Sequence, residues 1–230
     1  MTTGEPIAEG VFLVGGPKIS CEEDAASYLI DFNNEAVLID CGAGRSLKRI
    51  LANIEEAGVN PRMLSALILT HCHIDHIGAA PELRGKTGCK ILIHALDAKA
   101  FEEGDPVRTA ANWYGATFPP ASVDVRLAGG EGELVFGSDR LHWLHTPGHT
   151  PGSIVLWLDR NGQRILFGQD LHGPFSVDFE SDVGQWRESM EKVLALRSDI
   201  LCEGHFGIFR PDSGVRRYIT DLIRQHENGL

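Results

Sequence analysis

The chain is poor in positive charge, and its basic residues do not cluster. Its 230 residues include 21 Lys and Arg against 32 Asp and Glu, which gives a formal net charge of −11. Proteins that bind the phosphate backbone of nucleic acids depend on clustered Lys and Arg. The composition therefore argues against a nucleic-acid partner.

Long apolar runs are also missing from the sequence. No stretch approaches the roughly 20 apolar residues that a membrane-spanning helix requires. The first ten residues, MTTGEPIAEG, lack the basic segment followed by an apolar segment that is typical of a secretory signal. We therefore expect a cytoplasmic protein with no membrane partner. No pattern in the sequence predicts an oligomeric state.

Cysteine is scarce, and the five cysteines are widely spaced without a CxxC motif. The odd number argues against a disulfide framework, and the missing CxxC argues against a zinc ribbon. We expect these residues to be small, buried and apolar in character. They are Cys21, Cys41, Cys72, Cys89 and Cys202.

Short apolar runs and amphipathic segments alternate through both halves of the chain. Residues 45–61 predict a helix that Ser46 caps and Gly58 ends. Its apolar face carries Leu47, Ile50, Leu51 and Ile54. The alternation predicts an α/β fold in which two mixed sheets pack face to face and helices cover the outside. No linker composition divides the chain, so we expect one domain over residues 1–230.

The nine residues THCHIDHIG, at positions 70–78, directly follow the apolar run MLSALIL. His71 and His73 are two positions apart, so both imidazoles lie on one face of an extended segment. Asp75 and His76 follow in a tighter turn and are directed at a second, neighbouring point. One cation does not easily take four side chains from so short a loop, whereas two neighbouring cations do.

Three further ligand-type side chains stand far along the chain. His149, Asp170 and His205 each follow an apolar strand and lie in or beside a glycine-containing turn. Ligands at strand ends converge on one edge of a sheet. A carboxylate such as that of Asp170 can also bridge two cations through its two oxygens.

These residues resemble the metallo-β-lactamase superfamily, whose hallmark is HxHxDH followed by a separate His, an Asp and a last His. The resemblance covers nearly the whole chain and implies an αββα sandwich. It assigns His71, His73 and His149 to a first metal site, Asp75, His76 and His205 to a second, and Asp170 to the bridging position. The run HTPGHTPGS, at 145–153, is similar to the glyoxalase II-like branch of metallo-hydrolases. At the bridge the family usually has GD, whereas this chain has Gly168-Gln169-Asp170.

The expected cofactors are two divalent metal ions. Nitrogen and oxygen ligands without a thiolate suit zinc, which we expect, and also iron or manganese. Two ions that share a water lower its pKa toward roughly 7 and so provide hydroxide. Asp75 is the predicted catalytic residue, because it can orient that hydroxide and pass a proton to the leaving group. The predicted function is hydrolysis of a small-molecule ester, thioester or lactone, with a hydroxyacyl thioester or a lactone as the model substrate.

The resemblance also implies alternatives. Some members of the superfamily use a single iron for persulfide dioxygenase chemistry, and the matching ligands here are His71 or His73 with His149 and Asp170. A nuclease of the superfamily needs an inserted nucleic-acid domain and a basic groove, which this chain lacks. Branches active on penicillin often replace a first-site histidine or lack the bridging aspartate, so antibiotic hydrolysis is not expected.

Several residues outside the seven have a predicted role or a packing explanation. Asp40 is a candidate acceptor for the second ring nitrogen of a metal-binding histidine. Residues 103–122 are long for a connection and are expected to cap the site. Their aromatic residues, Trp113, Tyr114 and Phe118, are expected either to line a pocket for an apolar acyl group or to pack the segment down. Five other histidines are expected to be ordinary packing residues: His94, His142, His145, His172 and His226. Of these, His172 is the exception to follow, because it lies two positions after Asp170.

Overall fold

The computed structural model describes residues 4–227, and in them each half of the chain builds one sheet. The first sheet has seven strands, hydrogen-bonded in chain order. They are β1 (Glu5–Ala8), β2 (Val11–Gly15), β3 (Ser27–Asp31), β4 (Ala36–Ile39), β5 (Leu64–Leu69), β6 (Lys90–His94) and β7 (Val125–Leu127). Strands β1 to β4 pair antiparallel, and β4 to β7 pair parallel.

The second sheet has six strands in the order β13-β12-β11-β10-β9-β8. They are β8 (Glu131–Phe136), β9 (Asp139–His145), β10 (Ile154–Arg160), β11 (Gln163–Gln169), β12 (Ile200–Glu203) and β13 (Ile208–Phe209). Only β11 and β12 pair parallel. Each sheet therefore has a strand that is followed by an aspartate and that pairs parallel with the next strand of the chain. These strands are β4, which precedes Asp40, and β11, which precedes Asp170.

The main core lies between the two sheets. Tyr28 and Ile39 from the first sheet and Leu156 and Phe167 from the second are all buried there. The rings of Tyr28 and Phe167 lie 5.5 Å apart between centroids. Burial of such faces is the main favourable contribution to folding, so it holds the two sheets together.

Within residues 4–227, six α-helices accompany the sheets. They are α1 (Leu47–Glu56), α2 (Ile74–Ile77), α3 (Ala80–Thr87), α4 (Ala95–Glu103), α5 (Val183–Ala195) and α6 (Asp212–Glu227). Helices α1, α3 and α4 share a hydrophobic cluster with the first sheet, and α5 and α6 share one with the second. The predicted αββα sandwich of two mixed sheets is confirmed.

Helix α1 follows the sequence prediction except at its beginning. Leu47, Ile50 and Ile54 are buried, and the helix ends before Gly58 as expected. Ser46 occupies the N-cap position, but its hydroxyl donates to the carboxylate of Asp24 and not to the helix. The predicted side-chain cap is therefore wrong, because a long-range acceptor competes for the same hydroxyl group.

Helix α3 has no counterpart in the sequence prediction. Only Ala80 and Leu83 of its eight residues are buried, so it has almost no apolar periodicity to detect. All five cysteines are unpaired, and four of them are buried, as predicted. Within residues 4–227, no helix has both the length and the apolar character needed to cross a membrane.

Candidate metal centre

Hydrogen bonds to Asp40 hold the loop after β5 in place. The backbone N–H of Thr70 donates to Asp40 Oδ1 at 2.9 Å, and its hydroxyl donates to Asp40 Oδ2 at 2.7 Å. After this anchored residue, His71 and His73 precede the short helix α2, which contains Asp75 and His76. The predicted tighter turn is thus one turn of helix, and it separates the two pairs of ligand-type side chains.

The structure brings all seven predicted side chains together in two groups. The first group consists of His71, His73, His149 and Asp170, and the second consists of Asp75, His76 and His205. Within each group the candidate ligand atoms lie within 4.8 Å of one another. Side chains up to 134 positions apart in the sequence (from His71 to His205) therefore meet at one edge of the sandwich.

In the first group, two imidazoles face each other. His73 Nδ1 lies 2.9 Å from His149 Nε2. His149 Nδ1 donates to the carbonyl oxygen of Pro174 at 2.8 Å, so the Nε2 atom carries the lone pair. Burial lowers the pKa of His71, His73 and His149, and neighbouring imidazoles lower the pKa of His71 and His73 further. These rings are neutral near pH 7 and have lone pairs available for a cation.

The second group is richer in negative charge. His205 Nε2 lies 3.3 Å from Asp75 Oδ2, and His76 Nε2 lies 3.6 Å from the same oxygen. His76 Nδ1 donates to Asp40 Oδ2 at 2.6 Å, which directs Nε2 into the group. The hydrogen bond predicted for Asp40 is therefore present, and it fixes the orientation of a candidate ligand.

Carboxylates raise the pKa of both histidines in this second group. Burial acts to lower the pKa of His76, but the charges of Asp170, Asp75 and Asp40 outweigh it and raise that pKa well above the usual range. Burial likewise opposes protonation of His205, and Asp170 and Asp75 nevertheless raise its pKa to about 10. In the metal-free protein, protons on His76 and His205 therefore provide the positive charge that a bound cation would provide in the metal-bound protein.

Asp170 lies between the groups. Its Oδ1 is 3.2 Å from His76 Nε2 and 3.2 Å from His205 Nε2, whereas its Oδ2 is 3.5 Å from His149 Nε2. The two oxygens of one carboxylate thus face different groups.

Relative to the GD pattern, the chain has one additional residue before Asp170, and a bulge in strand β11 accommodates it. The register between β11 and β12 shifts between Phe167 and Gln169, which is a β-bulge at Gly168. Gln169 then adopts a positive φ of 52°. The departure from the GD pattern therefore leaves the carboxylate of Asp170 in the cluster.

Several buried polar atoms of the cluster fit a pair of cations. Among the described residues, His71 Nε2, His76 Nε2 and Asp170 Oδ1 are buried and have no hydrogen-bond partner. Unpartnered buried polar groups are costly, and clusters of them call for a bound group. Neutral imidazoles and carboxylates without a thiolate are a donor set that zinc, iron and manganese accept. The residues present therefore fit the two ions that the sequence predicts.

Residues 103–122 lie beside the first group. Phe118 is buried against Phe101, with ring centroids 5.1 Å apart, and anchors the segment. Trp113, which is 55% exposed, packs on Phe179 at 4.6 Å, and Phe179 packs on His73 at 4.3 Å. Trp113 therefore reaches the cluster through another aromatic ring. Tyr114 interacts with Asp75 directly, since burial and then the Asp75 carboxylate raise the pKa of its hydroxyl. The segment thus both packs and lines the site.

A groove opens beside the second group, between the turn after β2 and the segment that follows β12. It has about 370 Å³ of open volume, and His205 forms part of its wall. Leu13, Ile19 and Ile208 provide apolar lining. The sequence did not reveal this groove, because its walls come from opposite ends of the chain.

Sequence reasoning also missed Glu203, a fully buried carboxylate two positions before His205. Its Oε2 accepts the backbone N–H groups of His205 and Phe206 at 2.7 and 2.8 Å. Its Oε1 accepts from His172 Nδ1 at 2.8 Å. The sequence signal that could have revealed Glu203 was a glutamate at the end of an apolar run.

The other four histidines that were expected to pack do so against aromatic or imidazole rings: His94, His142, His145 and His226.

Comparison with known families agrees with this geometry. A family model described as the metallo-beta-lactamase superfamily matches residues 22–205, a span that includes all seven clustered side chains. The protein YflN of Bacillus subtilis, named a probable metallo-hydrolase, is 30% identical over 86% of this chain and 86% of its own length. MJ0888 of Methanocaldococcus jannaschii, also named a probable metallo-hydrolase, is 29% identical over 76% of this chain and 77% of its own.

Solved structures share the fold. The native FEZ-1 metallo-beta-lactamase from Legionella gormanii superimposes with a TM-score of 0.83 at 21% identity, covering 99% of this chain and 95% of that one. A metallo-beta-lactamase from Cronobacter sakazakii with a HARLDQ motif gives a TM-score of 0.83 at 22% identity, covering 99% and 94%.

Proposed function

The chain belongs to the metallo-beta-lactamase superfamily, and from that premise we propose that it is a metal-dependent hydrolase of a small ester, thioester or lactone. The observation that carries the proposal is the position of Asp170. One of its oxygens faces His76 and His205 at 3.2 Å, and the other faces His149 at 3.5 Å. This is the arrangement that a bridging carboxylate needs between two neighbouring cations.

The proposed ligands divide as the groups do. His71, His73 and His149 would hold a first ion, Asp75, His76 and His205 would hold a second, and Asp170 would be a ligand shared by the two. Two divalent ions held there supply Lewis acidity, which lowers the pKa of water and polarises a substrate carbonyl. The neutral imidazoles of the first group are ready to bind a cation, whereas the second group first releases protons.

Asp75 is the proposed catalytic residue. Burial acts to raise its pKa, but His76 and His205 outweigh this effect and lower it, so the carboxylate is ionised at neutral pH. An ionised carboxylate at this position accepts a hydrogen bond from the attacking water and orients it toward the substrate. As the water attacks the substrate carbonyl, the carboxylate takes the water's proton and then gives it to the leaving group, which departs protonated.

The groove beside His205 is the proposed place for the acyl group of the substrate. Its volume of about 370 Å³ suits a small molecule, and the apolar lining from Leu13, Ile19 and Ile208 suits a short carbon chain. The names of YflN and MJ0888 as probable metallo-hydrolases support a hydrolytic reaction.

The proposal is tested by metal analysis followed by a substrate panel. We expect close to two ions per chain after purification without chelator, and hydrolysis of at least one of a set of acyl thioesters, lactones and simple esters. A chromogenic cephalosporin serves as the negative control, because antibiotic hydrolysis is not expected. If the zinc, iron and manganese forms all leave the whole panel intact, the proposed function is wrong.

The alternative, persulfide dioxygenase chemistry on a single iron, uses only residues of the first group. The second group is complete in this chain, with its ligand atoms within 4.8 Å of one another, and this observation favours the hydrolase. Thiol-dependent oxygen uptake by the ferrous form, without hydrolysis of the panel, would favour the alternative.

A further inference from the structure

A second buried carboxylate lies close to the cluster and belongs to neither group. Asp97, in helix α4, has no exposed surface, and the proposed chemistry does not use it. We propose that Asp97 is a positioning residue that holds the first group in its binding geometry and leaves the second group untouched. The inference rests on the proposed two-ion site.

Asp97 contacts the histidine loop between two candidate ligands. Its Oδ2 accepts the backbone N–H of Cys72 at 3.0 Å. Cys72 stands between His71 and His73, so this hydrogen bond holds the backbone segment that carries both imidazoles. The Cys72 thiol donates to the carbonyl oxygen of Arg108 at 3.3 Å, which keeps its own side chain away from the cluster.

The same carboxylate also contacts the loop that carries His149. Asp97 Oδ2 accepts the hydroxyl of Thr150 at 2.7 Å, and Oδ1 accepts the backbone N–H of Gly152 at 2.8 Å. Gly152 permits this approach because it has no side chain: a Cβ there would lie 2.5 Å from Asp97 Cγ. One carboxylate therefore joins the two loops that present the three histidines of the first group.

The charge of Asp97 explains why this link is firm. A buried carboxylate is stable only when its lone pairs are satisfied, and charge-assisted hydrogen bonds are stronger than neutral ones. Three donors meet Asp97, and the guanidinium of Arg108 adds a positive charge at 3.8 Å between Nη2 and Oδ1. Arg108 also pairs with Glu180 at 3.1 Å, so the capping segment 103–122 is tied to the same point.

The second group has its own supports. Asp40 accepts from His76, and Glu203 accepts from the backbone of His205. None of the hydrogen bonds that Asp97 makes within residues 4–227 reaches Asp75, His76 or His205. Asp40 also holds Thr70, next to His71, so it supports both groups, whereas the hydrogen bonds of Asp97 reach only the two loops that carry the first group. The effect of Asp97 should therefore be specific to one ion.

The variant Asp97→Asn tests this specificity. The amide has nearly the same shape, but its NH₂ group must face donors. If it faces Gly152, the His149 loop loses one acceptor, and if it faces Cys72 and Thr150, both loops lose one. His205→Ala leaves the first group to be measured alone, and His71→Ala leaves the second. Each single-group background is titrated with Co²⁺ and with Zn²⁺, with and without Asp97→Asn, by calorimetry and by the visible spectrum of bound Co²⁺.

In the His205→Ala background, we expect Asp97→Asn to weaken binding by about 10- to 100-fold, as is typical for residues that support a ligand without touching the ion. In the His71→Ala background, we expect a change smaller than about 2-fold, well below the effect of a supporting residue. Glu203→Gln is the matched control, since its carboxylate accepts from the backbone of His205 and Phe206 and should therefore affect the second group and not the first. Equal weakening of both groups by Asp97→Asn, or no weakening of the first, overturns the inference.

A second variant and the behaviour of the wild-type protein distinguish failure of this inference from failure of the proposed function. Where Asp97→Asn does not fold, as judged by circular dichroism, Thr150→Val removes one donor and keeps the charge, and unchanged first-group affinity in that variant also overturns the inference. A wild-type protein that binds two ions yet hydrolyses nothing contradicts the proposed function alone. A wild-type protein that binds no ion contradicts both.

Discussion

Asp170 Oδ1 and His76 Nε2 lie 3.2 Å apart, and neither atom has a hydrogen-bond partner among residues 4–227. In the metal-free protein the protonated imidazole of His76 and this carboxylate form a buried ion pair, and a cation bound between the two atoms would take the place of that proton. The same oxygen is equally close to His205, so Asp170 is the residue on which the proposed centre depends most.

Replacing Asp170 with Asn should therefore keep the fold and remove the bridge. An amide carries no charge to hold two cations, and the effect should exceed that of losing an outer partner, so we expect turnover to fall by at least roughly 100-fold. Metal content and kcat of the purified variant measure this. Asp178→Asn, an exposed aspartate eight positions away, is the control and should behave as wild type. Near-normal rate and metal content in Asp170→Asn would show that the bridging assignment is wrong.

Metal binding should release protons from one group only. His205 has its pKa raised to about 10 and that of His76 is also raised, so both are protonated at pH 7.5 in the metal-free protein. Binding at the second group should release about two protons, and binding at the first, whose histidines have lowered pKa values, about none. Affinity of the second group should consequently fall as pH decreases below about 10, while that of the first stays flat near neutral pH.

Calorimetry in two buffers of different ionisation enthalpy counts these protons. The His205→Ala and His71→Ala backgrounds separate the two groups, as they do for the affinity measurements. Equal proton release from both would contradict the electrostatic difference between them.

The rate of hydrolysis should collapse below pH ~6 and reach a plateau above pH ~8, bounds that follow from the pKa values of imidazole and of water on a metal. Protonated histidines do not bind metal, and the attacking water must be deprotonated, so both requirements fail together as pH falls. The rate with a thioester and with a lactone, measured from pH 5 to 9 in air and under nitrogen, checks this. Activity that disappears under nitrogen at every pH would identify the reaction as an oxygenation.

Gly204→Ala should damage the centre without changing a charged residue. A Cβ at this position would lie 2.6 Å from Asp170 Oδ1, which is too close for the carboxylate to stay in place. We expect loss of metal and a rate reduced by at least about 10-fold, as for loss of a residue that orients a ligand. Gly130→Ala, where a Cβ meets nothing within 4 Å, is the matched control. Unchanged metal content in Gly204→Ala would mean that Asp170 can move without consequence.

The sequence alone determined the fold class and the set of seven clustered side chains. Both rest on short-range patterns: apolar runs that predict strands, and ligand-type residues that follow them. Because strand ends meet at one edge of a sandwich, His71, His149 and His205 were expected to converge, and they do. The hydrogen bond of Asp40 was expected because a metal-binding histidine usually donates its second ring N–H to a carboxylate, and Asp40 accepts from His76.

Only the tertiary structure decided how those side chains divide and what holds them. The two oxygens of Asp170 face different groups because a bulge at Gly168 absorbs the additional residue, and a bulge depends on pairing with a distant strand. Asp97 and Glu203 looked like ordinary acidic residues, and their roles arise from backbone N–H groups at Cys72 and His205. Ser46 matched the N-cap pattern and was drawn to Asp24 instead. Such hydrogen bonds depend on which loops fold against each other. These long-range contacts cannot be predicted from the local periodicity of the sequence.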